Sequence, residues 1–213
     1  MMGLTEALRQ ELREFMSTAD KNEVELLIRA YNNDEGLRRA RNHRPRTCLM
    51  LGGVPEIPCY ATSGIIPHVG KRALGEDFRG CHTSIEKYVD FGVLCGAWPK
   101  GQCHWRLIAE VENQWWELQG TLADLLCTQA RIKWAILYNA NPESARMELQ
   151  QAVPEVFDHF AKAGFLEHPD TLYEVLVLPD LMPASGPSGM RAVEATFSSR
   201  AAMGEIQARL VSL

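Results

Sequence analysis

Three acidic residues are spaced as a set that could hold a hard metal ion. Asp90 lies in residues 85–94, and Glu110 and Glu112 lie two apart in residues 104–112, both runs of strand-like composition. Side chains alternate along a strand, so Glu110 and Glu112 share one face while Val111 takes the other. Two acids on one face of a buried strand are costly unless something neutralises them. A divalent cation is a common solution, and oxygen ligands of this kind select Mg²⁺ or Mn²⁺. Such a site activates water and stabilises the charge that develops on a phosphoryl oxygen.

The elements around these acids read as strand, turn, strand, helix, strand. Residues 85–94 alternate and are bounded by Gly96, Pro99 and Gly101, which suit a hairpin returning into residues 104–112. Residues 114–130 carry apolar side chains at Trp115, Leu118, Leu122, Leu125 and Leu126, which predicts a helix. The short apolar run 133–138 predicts a buried strand. A further helix is expected over 143–163, bent or restarted at Pro154, and a strand over 173–178.

Upstream, residues 4–16 and 24–30 have helical spacing, with Asp20 and Glu23 at the two positions of a capping box. A third short helix is expected over 34–42. Residues 47–80 are rich in glycine and proline and read as a long irregular connection, opening with a short strand. Loops of that length usually serve a site or are mobile, so His68, Lys71 and Arg72 read either as lining a substrate groove or as incidental charges on a surface excursion. These readings divide the chain into one α/β domain over 1–180 with a helical part at 1–46, a flexible linker at 181–190, and a helical tail at 191–213. The order of elements implies helices flanking a central mixed β-sheet, with extra N-terminal helices.

A formal net charge of −5 argues against a bulk polyanion binder but leaves room for a local basic groove beside acidic metal ligands. The densest positive run, RRARNHRPR, contains Arg38, Arg39, Arg41, Arg44 and Arg46. It reads either as a solvated helix end or as an arm whose guanidinium forks contact nucleic-acid phosphates. The N-terminal residues lack the apolar core of a signal peptide, and there is no apolar run long enough for a membrane span. Six cysteines without a signal peptide then suggest reduced thiols in a cytoplasmic protein that does not contact a membrane. Cys81, His82, Cys95, Cys103 and His104 offer soft zinc ligands but without the C-x₂-C spacing of structural sites, so ordinary thiols are expected. No Gly-x-Gly-x-x-Gly or Walker A run is present.

Asp90, the hairpin, Glu110-Val111-Glu112, the helix after them and the strand KWAILY together resemble the PD-(D/E)XK superfamily of metal-dependent nucleases. The resemblance covers about residues 85–138. It implies a restriction-endonuclease-like α/β sandwich and Mg²⁺- or Mn²⁺-dependent hydrolysis of phosphodiester bonds in DNA. In that family the metal falls to the residues matching Asp90 and Glu110, with Glu112 binding metal or orienting water. An acid from a preceding helix often assists, for which Glu11, Glu14 and Glu23 are candidates. The family usually has lysine where this chain has Glu112, and proline where it has Val89. Lys133 or Lys87 are the alternative positions for the missing ammonium. Cutting both strands of a duplex often implies a homodimer in this family. The departure at Glu112 also supports an alternative, a catalytically inactive nuclease-fold protein that binds nucleic acid or protein.

Overall fold

The computed structural model describes residues 2–37, 44–75, 81–86, 89–95, 105–165, 167–204 and 206–213; for 81–86, 89, 94 and 95 it describes the backbone alone. The chain folds as two compact units. The first combines residues 1–75, 179–190 and 212–213, and the second combines 76–178 with 191–211.

The first unit is helical. Helix α1 (Leu4–Thr18) buries Leu4, Ala7, Leu8, Leu12 and Phe15, the spacing of a single apolar stripe. Helix α2 (Lys21–Tyr31) starts at the expected capping box: Asp20 Oδ1 accepts the Asn22 and Glu23 backbone N–H groups, and Glu23 Oε2 accepts that of Asp20 at 2.8 Å. A helical turn α3 (Pro45–Thr47) runs into a π-helical turn over Cys48–Gly52, where the sequence reading expected a short strand. The presumed irregular connection then contains a helix, α4 (Ile65–Leu74), which packs on α1. Its Pro67 lies in the first turn, where a missing N–H costs no intrahelical bond.

Residues 181–190 are not a free linker. Met182 and Met190 are buried, and Asn32 clamps the segment by accepting from Met182 N at 2.8 Å while its amide donates to Met182 O at 3.1 Å. The Tyr31 hydroxyl donates to Pro179 O. Composition alone gave a flexible reading; two methionines and one asparagine turn the segment into part of the helical core.

The second unit is an α/β arrangement built on a seven-stranded mixed sheet with sequential order β1 to β7. Strands β1 (Cys81–Glu86), β2 (Val89–Cys95) and β3 (Trp105–Glu112) form an antiparallel meander. The single strand expected over 85–94 is thus two, β1 and β2. Helix α5 (Leu118–Cys127) carries the chain to β4 (Ala130–Asn139), which lies parallel to β3. A single helix, α6 (Pro142–Lys162), continues through Pro154 to β5 (Leu172–Pro179). The tail expected to be helical forms β6 (Arg191–Ser198), antiparallel to β5, and β7 (Ala208–Ser212). The sheet supplies what overrides the weak helical pattern: Ala192, Val193, Ala195 and Phe197 are buried on it.

Leu118, Leu122 and Leu125 of α5 and Leu149, Val153 and Phe157 of α6 join Ile108, Ala135, Leu137, Tyr173 and Val175 in one apolar cluster. This face of the sheet carries the candidate acids.

Candidate functional site

The β3–β4 register pairs Ile108 with Lys133, Glu110 with Ala135, and Glu112 with Leu137. Alternation places all six on the helix-covered face. Glu110 therefore emerges at the margin of an apolar core. On the other side, β2 pairs Phe91 with Ala109, so Asp90 stands one step further along, level with Glu110. Asp90 Oδ2 accepts the Val111 backbone N–H at 2.8 Å, and the Asp90 backbone N–H is donated to the Glu110 carboxylate. The two acids thus lock each other's strands through backbone donors.

The electrostatic consequence is a crowded negative site. Burial, followed by the charges of Asp90 and Asp124, pushes the Glu110 carboxyl up to about 8; the Asp90 N–H lowers it and the Glu112 charge adds to the rise. Glu112 is also raised, by burial first and then by the charges of Glu117 and Asp90, against backbone hydrogen bonds from Gln114 and Asn113. The Gln114 N–H reaches Glu112 Oε1 at 3.0 Å. All three acids expected from sequence therefore act on one another. Asp124 of α5 and Glu117 are additions, and neither stands out from ordinary polar residues in the sequence.

These donors suit a hard divalent ion. Mg²⁺ is ordinarily held by one or two carboxylates, several waters and substrate phosphate, so the Asp90–Glu110 pair matches its donor chemistry. Among the described residues no group of three or more His, Cys, Asp or Glu is gathered closely enough to hold a metal ion. Glu112 is thus engaged with its own loop and stands beside the pair electrostatically rather than as a third gathered donor.

Lys133, one alternative for the missing lysine, is fully buried and used elsewhere. Its Nζ pairs with Glu167 Oε2 and donates to Tyr173 Oη at 3.2 Å, lying 5.3 Å from the Tyr173 ring centroid. Burial lowers its pKa, opposed by Glu167. Lys87 and the zinc-type ligands Cys81, His82, Cys95, Cys103 and His104 have side chains outside the described residues.

The assisting acids of the N-terminal helices also have partners of their own. Glu11, 9% exposed, receives Arg72 Nε, Tyr60 Oη at 3.0 Å and His68 Nδ1 at 3.5 Å. Glu14 also pairs with Arg72, and Glu23 caps α2. His68 and Arg72 are accordingly held on Glu11 rather than displayed along a groove.

Of the arginine arm, Arg38, Arg39 and Arg41 fall outside the described residues, and Arg44 is exposed. Arg46 departs from the expectation. It is buried, donates from Nε to Tyr31 O at 2.6 Å, bonds Asp180 O, and stacks 5.2 Å from the Tyr31 ring centroid. A guanidinium with these partners holds backbone carbonyls together and is not presented to phosphate.

The tryptophans after Glu112 behave differently from each other. Trp115 packs partly on the apolar cluster and donates from Nε1 to Glu148, as a core-facing residue should. Trp116 is 74% exposed.

No helix among the described residues is long and apolar enough to cross a membrane. No protein-family model matches the chain, and no curated protein matches it. Among solved structures, the central domain of yeast acetyl-CoA carboxylase is similar over 95% of this chain at 6% identity and a TM-score of 0.37. The chain spans 35% of that structure's length, and a likeness of this strength carries no assignment.

Proposed function

We propose that this chain is a metal-dependent nuclease that hydrolyses phosphodiester bonds in DNA, on a core of the restriction-endonuclease-like kind. One observation carries the reading: Asp90 and Glu110 meet across β2 and β3, at the margin of an apolar core, and each raises the cost of charge on the other's strand. The order of elements supports it, because the β2–β3 hairpin, helix α5 and strand β4 follow in the order of the resembling stretch.

In this reading Asp90 and Glu110 hold Mg²⁺ or Mn²⁺. The bound ion supplies positive charge to a phosphoryl oxygen and lowers the pKa of water. Glu110 must give up its proton to bind, so metal affinity should rise with pH as that carboxyl, raised to about 8 by burial, ionises. Glu112, held by Gln114 N, is placed to orient a water or to accept its proton. The test is cleavage of plasmid and single-stranded DNA with Mg²⁺ or Mn²⁺, comparing wild type with Glu110→Ala. A loss of roughly a hundredfold or more is expected, since each 1.4 kcal/mol of lost charge stabilisation is tenfold in rate. Equal cleavage by the two proteins would reject the assignment.

A second reading has its own support. Lys133 is committed to Glu167 and Tyr173, so the ammonium common in the resembling family is not supplied from that position. A nuclease-fold protein without catalysis, binding nucleic acid or protein, follows from that gap. Calorimetric titration with Mn²⁺ separates the two, because the binding module requires no metal.

A further inference from the structure

At the opposite end of β3 and β4 from the acids lies a cleft of about 870 Å³ within the second unit. Trp105 on its wall is five residues before Glu110, roughly 17 Å along the strand.

One wall is aromatic. The Trp105 ring lies over Gly92, where a Cβ would come within 2.4 Å of its six-membered ring, so the glycine is what lets the indole lie flat on the sheet. Phe165, 41% exposed, stands edge-on to Phe160 at 5.8 Å and presents its other surface to the cleft. A fixed indole and an open phenyl ring in one cleft suit a flat aromatic guest.

The polar wall sorts into spent and unspent groups. Glu167 is spent, bonded to Lys133, to Tyr173 Oη at 2.6 Å and to Thr171 Oγ1 at 3.2 Å, with its charge balanced by the buried ammonium. His168 Nδ1 accepts the Asp170 N–H at 3.3 Å, which leaves the Nε2–H as a donor. Arg131 is exposed and has no ion pair among the described residues. Its guanidinium and the His168 N–H are the donors that the cleft offers to an anion. Gln129 and the Asp170 carboxylate supply mixed donors and acceptors of the kind that read a base edge.

We propose that this cleft binds a single unstacked nucleotide, with its base against Trp105 and Phe165 and its phosphate on Arg131. The site is separate from the Asp90–Glu110 pair, and the proposal does not rest on the nuclease reading. Adenosine monophosphate, adenosine and inorganic phosphate are titrated calorimetrically into the full chain without divalent metal, into wild type, Arg131→Glu and Glu110→Gln. Saturable binding of the monophosphate at about millimolar or tighter is expected. Arg131→Glu, at an exposed position and with its fold checked by circular dichroism, should weaken it about tenfold, the worth of one charge-assisted contact. Adenosine should bind weaker by a similar factor, and Glu110→Gln should bind like wild type. No saturable binding, equal binding by Arg131→Glu, or phosphate alone binding as well as the monophosphate would each overturn the proposal.

Discussion

Two sequestered glutamates of this protein live under opposite electrostatic conditions. Glu11, in the helical unit, is surrounded by Arg72, His68 and the Tyr60 hydroxyl. Glu110, in the sheet unit, is surrounded by Asp90, Asp124 and Glu112. The first is a closed structural cluster, in which both carboxylate oxygens are engaged. The second accumulates charge of one sign at the edge of a core, which folding alone would disfavour. Sites that run against stability in this way are where function is to be sought.

The contrast can be broken most severely on the compensated side. Arg72→Ala should leave Glu11 sequestered without its cation and destabilise the protein by about 3 kcal/mol, read from urea denaturation. If it costs less than about 1 kcal/mol, the cluster is not the closed structure described here.

Glu110→Gln should do the reverse. A carboxyl raised to about 8 in the fold and near 4.5 when unfolded holds more protons in the folded state across that window. Stability from this group is full below about 4.5 and falls as pH rises towards 8. The amide does not ionise, so Glu110→Gln should be more stable than wild type at pH 9 by about 2 kcal/mol, a figure reduced for partial solvation, and similar at pH 5. A thermal melt series across pH checks the sign.

Divalent metal should shrink that difference. Millimolar Mn²⁺ is expected to raise the melting temperature of wild type by a few degrees at pH 8, through preferential binding to the folded state, and to leave Glu110→Gln unmoved. Equal shifts would place the ion elsewhere. The smallest effect is expected at Trp116, whose exposed ring contributes little to the core: Trp116→Ala should change stability by no more than about 0.5 kcal/mol.

Strong local patterns made much of the sheet unit legible from sequence. The second strand of the hairpin, α5, β4, α6 and β5 follow from apolar periodicity, and the α2 capping box follows from Asp20 and Glu23. The same-face acids follow from strand alternation, and register brings Asp90 beside them. What stayed hidden depends on partners far away in the chain. Helix α4 was masked by Pro67 and Gly70, which look like breakers until the first helical turn is located. Strands β6 and β7 have alanine-rich, charged sequences whose strand character comes from pairing and burial rather than propensity. Arg46 and Lys133 carry the charges of surface residues, yet each is buried against groups more than thirty residues away. Charge type alone does not reveal such partners.

The helical unit is discontinuous in the chain, and that fixes an order of events during synthesis. Tyr31, Asn32 and Arg46 emerge from the ribosome well over a hundred residues before Pro179, Asp180 and Met182, whose backbone groups they bind. Until that segment arrives, the N-terminal helices carry an unfilled face and an arginine that has the Tyr31 carbonyl but not that of Asp180. Release of a chain ending at Leu178 would leave that face open for good, making premature termination there a route to aggregation rather than to a working fragment.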